Sequence, residues 1–438
     1  RLAQVLPRYS SIALVAFIVV AVSGYARAAL AVGAWSQLAT PYVVLIIVKV
    51  VALIILGLLG ASYRRFLIGR MTQGPSARRF WGLVLVEFAF MGIASGVAAA
   101  LARTAPPIPD VPLDARTPAE YLTGAPLPPE LTTAGWITSW NVDVLWLLVV
   151  GFGAFFYLAG VWRLHRRGDA WPIYRTVLWL AGLALLFWVT TGAVAVYEQY
   201  LFSVHMVGHM LLTMAIPLLL VSGAPVSLAA RAIVKRDDGT RGGREWILWA
   251  VHSPAARILT NPFVAAALFI LSLWVFYYTD LFRWSLYEHF GHLWMVAHFL
   301  ITGYLFVLSL IGIDPVPFRL PYAGRLILLI AIMAMHAFFG ISIMMQSGLM
   351  AAEWFGAMGR TWGATPMEDQ YIGGGIAWSV GEIPTLILAI TVAIQWSRSD
   401  ERMQRRRDRH ADRTGDAELD EYNARLAALA VKDAQTER

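Results

Sequence analysis

The amino-acid sequence predicts an all-α membrane protein of about ten transmembrane helices. Of its 438 residues, 58% are hydrophobic, whereas soluble domains contain about 45–50%. The hydrophobic residues are gathered in runs of roughly 20, the length that crosses a bilayer as a helix. The loops between the runs alternate in charge along the chain. These three features together predict a polytopic helical protein whose apolar surface faces lipid.

Each predicted helix corresponds to one hydrophobic run. The runs cover residues 9–33, 41–62, 80–102, 141–162, 174–196, 203–222, 262–280, 290–312, 325–347 and 374–396. The first run is too long and too uniformly apolar for a signal peptide. Because the chain begins with Arg1 rather than methionine and enters this run almost at once, we expect it to be part of a longer precursor.

Arginine and lysine are concentrated in alternate loops. Basic loops follow the second, fourth, sixth and eighth runs, and the loops between them are acidic or nearly neutral. Positively charged loops remain in the cytoplasm, which predicts an even number of spans with both ends of the chain cytoplasmic. The net charge of +7 is therefore a topology signal, and we expect no nucleic-acid partner.

Residues 108–139 form the longest outer connection and are rich in proline, which predicts a semi-rigid linker. This linker separates a three-helix block, residues 1–107, from a seven-helix block, residues 140–397. Residues 398–438 are strongly charged and are expected to form a solvated cytoplasmic tail. Its basic stretch, 402–413, is suited to anionic lipid.

Two histidines four residues apart, His205 and His209, lie within the sixth run. Residues at positions i and i+4 share one face of a helix, so both imidazoles are expected to point in the same direction. Ionisable groups inside a membrane span are costly and mark a functional site by default. His298, His336 and Glu382 lie in the outer half or the middle of other runs. A lone buried histidine is more often a core residue, but this convergence favours a shared site.

The residue types indicate the ligand of such a site. The chain has no cysteine, which excludes disulfides and thiolate ligands. A set of histidines and methionines without thiolates is typical of copper or haem rather than of structural zinc. Most methionines are expected to be core packing, but Met344 and Met345 near the outer end of the ninth run are candidates to capture Cu(I). In the first block, Lys49 and Glu87 are expected to form an intramembrane ion pair.

Motifs of known catalytic or nucleotide-binding types are absent from the sequence. It has no phosphate-binding GK[ST] loop, no His-Glu-x-x-His and no convincing Ser/His/Asp set. We therefore do not expect an enzyme.

Several stretches resemble two known families. Residues 140–396 resemble the CtaG family of cytochrome c oxidase assembly factors, through His205-Met206-Val-Gly-His209-Met210-Leu-Leu, Pro217, Gly223-Ala224-Pro225, His292 and His298, Asp369-Gln370, Gly373-Gly374 and Trp378. Residues 7–107 resemble the copper-resistance D (CopD) domain, through Ser23-Gly24, Lys49, the arginines after the second helix, Glu87 and Pro106-Pro107. Fusions of these two domains are an arrangement associated with actinobacteria.

The resemblance implies copper handling for a haem-copper oxidase in a bacterial plasma membrane. We hypothesise a Cu(I) site near the outer face, with His205 and His209 as primary ligands and with His298 and His336 completing or relaying it. The residues expected to support these histidines are His292, Asp369, Gln370 and Glu382. The expected partners are oxidase subunits or other assembly factors, and copper transport across the bilayer is a further possibility. Two alternatives stay open: a haem-binding electron-transfer protein, which needs axial ligands on opposite sides of one macrocycle, and a metal-free assembly scaffold.

Overall fold

The computed structural model of the protein describes residues 14–25, 28, 40–66, 77–104, 116–236, 241–415 and 417–436. In these ranges the chain forms helices and loops and no strand, so the predicted all-α class is confirmed. Among the described residues, seven helical segments are long and apolar enough to cross a membrane, or eight when a bent helix pair is included. The count of ten and the cytoplasmic position of both ends stay predictions.

The chain divides into two compact units, residues 1–115 and 116–438. The described helices of the first unit are α1 (Leu14–Tyr25), α2 (Pro41–Phe66) and α3 (Ala77–Ala102). Helices α2 and α3 pack against each other. Lys49 is half-buried on α2, but the side chain of Glu87 lies outside the described residues. The ion pair between them therefore stays a prediction.

The second unit begins with two short helices and continues with the membrane helices and their connections. Its elements are α4 (Pro118–Thr123), α5 (Gly135–Thr138), α6 (Val144–Arg166), α7 (Ile173–Thr191), α8 (Ala193–Tyr197), α9 (Phe202–Met210), α10 (Ile216–Ser222), α11 (Pro225–Ala232), α12 (Gly243–Val251), α13 (Pro254–Leu259), α14 (Pro262–Tyr277), α15 (Asp280–Tyr287), α16 (His289–Ile311), α17 (Tyr322–Met344), α18 (Pro366–Ser379), α19 (Glu382–Thr414) and α20 (Ala417–Thr436).

Two spans form the centre of the second unit. In the most apolar part of each of the segments Phe202–Ala232 and His289–Ile311, a share of 61% is buried inside the protein. The corresponding share is 11–50% in the other candidate spans. Helix α9 packs against α8 and α18, and α10 packs against α7 and α16. Helix α17 packs against α14 and α18. Polar side chains on α9 and α16 therefore have access to other helices, as buried membrane residues require.

Part of the predicted proline-rich linker belongs to the second unit, which begins at residue 116. The Tyr197 hydroxyl donates a 2.9 Å hydrogen bond to the Pro129 carbonyl, and the Trp188 indole donates one of 3.2 Å to the Trp136 carbonyl. Proline lacks an N–H but keeps a carbonyl acceptor. Aromatic donors at the ends of α7 and α8 therefore hold residues of this connection against the helices.

Two predicted spans are bent or broken. The helix of the seventh run ends at Tyr277, and α15 continues at an angle of 75° to α14, with the Thr279 side chain capping its first turn. In the tenth run the helix begins at Pro366, ends at Ser379 and resumes at Glu382. Hydrophobicity alone does not reveal the break in the tenth run, because the residues on both sides of it are apolar. Helix α15, which contains Asp280 and Arg283, begins at the last residue of the seventh run.

Candidate functional site

The two histidines of α9 are enclosed within the second unit. His205 is 3% exposed and His209 is 4% exposed. They lie one turn apart on α9, so they share one of its faces, as their spacing predicts. The neighbouring positions on α9 are also mostly buried. The imidazoles therefore face protein rather than lipid.

The start of α9 is held by Asp369 of α18. Its carboxylate accepts hydrogen bonds from the backbone N–H groups of Phe202 and Ser203, at 2.7 and 3.4 Å, and from the Ser203 hydroxyl. Such an acceptor satisfies N–H groups that have no partner inside the helix. Gln370 accepts a 2.6 Å bond from the Met350 N–H in the loop after α17. Asp369 thus holds the start of the helix that carries the histidines, and Gln370 holds the loop after α17. Their expected support of an imidazole stays a prediction.

A π-helical turn, Leu211–Ala215, follows His209 almost directly. Pro217, just beyond it, has no N–H to donate to the helix. Gly303 of α16 approaches so closely that a Cβ there would lie 2.1 Å from the carbonyl oxygen of Thr213. The Thr213 hydroxyl donates a 2.8 Å bond back to the His209 carbonyl. π-turns of this kind recur at functional sites, and nothing in the periodicity of the sixth run predicted this one.

His205 has a hydrogen-bond partner. Its Nε2 lies 2.9 Å from the hydroxyl of Tyr277, at the end of α14, and both side chains are buried. Because this nitrogen is engaged, His205 is less available as a ligand than its spacing predicts. Sequence reasoning missed Tyr277, although a hydroxyl-bearing ring at the end of an apolar run is a recognisable signal for such a partner.

His209 and His336 differ from His205 in their hydrogen bonding. Within the described part of the chain, both ring nitrogens of each are buried and have no hydrogen-bond partner. The ring of Phe299 meets His209 edge-on, with centroids 4.4 Å apart. Buried polar groups are nearly always hydrogen-bonded, and leaving one unpaired costs about 1–3 kcal/mol. Four such nitrogens therefore call for an explanation.

The predicted histidines lie in one region of the second unit. His336, His205 and His298 lie near enough to His209 for a positive charge on any of them to repel one on His209. The Nε2 of His298 is also buried without a partner, and its ring stacks on Trp294 with centroids 4.7 Å apart. However, no three His, Asp or Glu side chains in the described ranges are grouped tightly enough to hold one metal ion. A cation held here would have few protein ligands, mainly imidazole nitrogens, which suit copper.

A second polar group links α8 to α16. The Nε2 of His292 lies 2.9 Å from Oε1 of Glu198. Glu198 is 5% exposed and lines a cleft of about 30 Å³ together with Asp143 and His292. Neither acid was among the predicted site residues. The available signal was the position of Glu198, directly after the fifth hydrophobic run.

Three predicted residues are exposed or pack on another helix. Glu382 is exposed at the start of α19, and Met345 is 79% exposed where α17 ends. Met344 is half-buried and packs on α18, where a Cβ at Gly374 would lie 2.7 Å from its Cγ. These positions do not favour the expected roles as ligands or supporting groups, which stay predictions. Depth in the membrane was predicted from the topology, but the direction of a side chain depends on how its whole helix packs.

The fold and the site together define a polytopic helical membrane protein with histidines buried between its helices. The chain belongs to the family of cytochrome c oxidase caa3 assembly factors (Caa3_CtaG), whose family model matches residues 155–399. The family model of copper resistance protein D (CopD) matches residues 3–101. Both resemblances predicted from the sequence are thus confirmed.

Relatives of this chain are found in mycobacteria. It is 42% identical over 313 residues to "Uncharacterized protein Mb0105" of Mycobacterium bovis, a match that covers 71% of this chain and 47% of the relative. It is 43% identical over 310 residues to "Uncharacterized protein ML1998" of Mycobacterium leprae, covering 70% of this chain and 46% of the relative. The chain thus spans about half the length of these relatives. No solved structure matches it.

Proposed function

We propose that the protein binds Cu(I) between its membrane helices and supplies it to a haem-copper oxidase during assembly of the copper centre. The observation that carries this proposal is the set of four buried ring nitrogens of His209 and His336 that have no hydrogen-bond partner among the described residues. A bound metal ion would give the acceptor nitrogen of each ring a partner. The family descriptions, an oxidase assembly factor and a copper resistance protein, support copper as the cargo.

The ligand types favour a transition metal over magnesium or calcium. Imidazole suits copper, zinc, iron and nickel, whereas carboxylate and water ligands suit magnesium and calcium. Among the former, the match to the copper resistance family favours copper. His298, with one unpartnered nitrogen, is the third candidate ligand. The Nε2 of His205 forms a hydrogen bond with the Tyr277 hydroxyl. In this proposal His205 supports the geometry of α9 and does not bind the ion. The primary ligands of this proposal are therefore His209 and His336, in place of the pair His205 and His209.

Haem binding is the weaker proposal. A haem needs axial ligands on opposite faces of a flat macrocycle. The rings of Phe299 and Tyr277 lie against the His209 imidazole, with centroids at 4.4 and 5.6 Å. These rings occupy space that a macrocycle bound to His209 would need.

The proposal is tested by measuring bound copper. The full chain is purified under reducing conditions from copper-supplemented cells, and copper per protein is determined by elemental analysis. The variants are His209→Ala and His336→Ala, with His289→Ala as the control, because His289 is an exposed histidine on α16. We expect the parent and the control to retain copper and each of the other variants to lose it by about tenfold or more.

Three results would contradict this proposal in different ways. Equal copper in all four proteins would show that neither His209 nor His336 is a ligand. No copper in any of them, with oxidase maturation in cells still dependent on the protein, would leave a metal-free scaffold. A Soret band in the visible spectrum of the purified parent would support the haem alternative instead.

A further inference from the structure

The cleft between α6, α8 and α16 contains three ionisable side chains. Asp143, Glu198 and His292 line it, and its lining residues include no lysine or arginine. His292 and Glu198 are hydrogen-bonded at 2.9 Å. The Asp143 carboxylate caps α6 through one oxygen, Oδ1, which accepts from Leu145 and Trp146. His292 balances the charge of Glu198 only when the imidazole is protonated, and the lining offers no cationic side chain to Asp143. A net negative charge in a narrow cleft attracts cations, because low-dielectric walls focus the field.

The cleft lies at the end of the second unit that is remote from the arginine-rich loops. Asp143 precedes the first residue of α6, whereas Arg163 and Arg166 lie in the last turn of the same helix. Glu198 follows α8, the continuation of α7. By the positive-inside rule, this end of α6 faces the outside, where a cation would arrive.

The inner wall of the cleft adjoins the buried histidines. A Cβ on Gly208, the residue before His209, would lie 3.4 Å from Oε2 of Glu198. Leu212, in the next turn after His209, is part of the cleft wall. His205 interacts electrostatically with both Glu198 and His292. The polar groups thus continue from the cleft to the histidine pair on α9.

We propose that this cleft admits the copper ion to the buried histidines, with the Glu198 carboxylate and the His292 imidazole as the groups that receive it first. The inference rests on the function proposed above and adds the route by which the cation reaches the site. Receiving the ion breaks the hydrogen bond between Glu198 and His292. An imidazole nitrogen binds the ion only when it carries no proton, so any proton displaced from His292 leaves to water. The negative charge of the cleft sets the rate of loading, whereas His209 and His336 hold the ion.

The test measures the rate of copper loading in the full chain reconstituted in nanodiscs of neutral lipid. Cu(I) is supplied as its cationic acetonitrile complex, and bound copper is measured after rapid gel filtration at successive times. Glu198→Gln removes the charge but keeps the size of the side chain and an acceptor for His292. Asp143→Asn is the second variant, because asparagine also caps helices. The control is Glu130→Gln, an exposed acid next to the Pro129 carbonyl that Tyr197 holds.

We expect Glu198→Gln to load about tenfold more slowly than the parent at low salt and the control to load at the parent's rate. Added salt should slow the parent more than Glu198→Gln, a difference that a purely structural role would not produce. If Glu198→Gln fails to fold, Asp143→Asn is decisive. If the folded variants load copper at the parent's rate and with the same salt dependence, the cleft is not the route of entry. That result would not contradict copper binding at His209 and His336. A parent that takes up no Cu(I) would overturn both proposals.

Discussion

Replacing His209 by leucine is expected to stabilise the copper-free protein. Both ring nitrogens of His209 are buried, with no hydrogen-bond partner in the part of the chain that the structure describes. An unsatisfied buried polar group costs about 1–3 kcal/mol. Leucine removes that cost but also loses the edge-on contact with Phe299 at 4.4 Å, which is worth about 0.5–1.5 kcal/mol. The difference is a gain of about 1 kcal/mol in the free energy of unfolding.

The matched substitution His205→Leu should have the opposite effect. His205 lies on the same face of the same helix, but its Nε2 is 2.9 Å from the Tyr277 hydroxyl. Leucine would leave that buried hydroxyl unpaired, at a cost of about 1–3 kcal/mol. Both variants replace a buried histidine of α9 by leucine. His209→Leu should raise the free energy of unfolding, and His205→Leu should lower it.

The assay is the midpoint of thermal unfolding of the full chain in one detergent, with and without Cu(I). A change of 1 kcal/mol corresponds to about 2–4 °C for a domain of this order of size. Copper should raise the midpoint of the parent, because a ligand that binds only the folded state stabilises it, and should leave that of His209→Leu unchanged. A fall in the copper-free midpoint of His209→Leu as large as that of His205→Leu would refute the reasoning, since His209 would then stabilise the fold by itself.

Three further substitutions test the structure around the site. Tyr277→Phe removes a buried partner of an imidazole and should lower the free energy of unfolding by about 1–3 kcal/mol, measured by the same assay; an unchanged midpoint would mean that the hydrogen bond is absent. Gly303→Ala places a Cβ 2.1 Å from the Thr213 carbonyl oxygen and should prevent accumulation of folded protein in the membrane. Gly151→Ala should not, because no atom of the described residues lies within 4 Å of the new Cβ. A normal yield of both variants would exclude the close approach of α16. Asp369→Ala removes the acceptor of two N–H groups at the start of α9. It should lower the free energy of unfolding by about 0.5–2 kcal/mol and make the hydrogen exchange of these N–H groups faster. Exchange at the parent's rate would show that the helix start is held in another way.

The helices and the location of the histidines could be predicted from local properties of the sequence. A membrane helix requires only an apolar run of sufficient length, so the runs around α2, α6, α16 and α17 correspond closely to the observed helices. The common face of His205 and His209 follows from a spacing of four residues. The cost of an ionisable group in a span marked His298 and His336 as well. The motifs that carry the family resemblance are also short and local.

Hydrogen-bond partners could not be predicted in this way, because they lie far apart along the chain. Tyr277 is 72 residues from His205, His292 is 94 residues from Glu198, and Asp369 is 167 residues from Phe202. A contact between distant helices leaves no periodic trace in either one. Glu382 shows the same limit, because its depth in the span was predicted but its exposure depends on how α19 packs.

The sequence by itself determined that this is a helical membrane protein of the oxidase assembly family with ionisable residues in its spans. The tertiary structure decided which imidazole nitrogens are already paired and which are not. It pairs His205 with Tyr277 and leaves the nitrogens of His209 and His336 without partners among the described residues. The physical reason is that composition and spacing determine burial and face, whereas the availability of a lone pair depends on the atoms that other helices bring within about 3 Å.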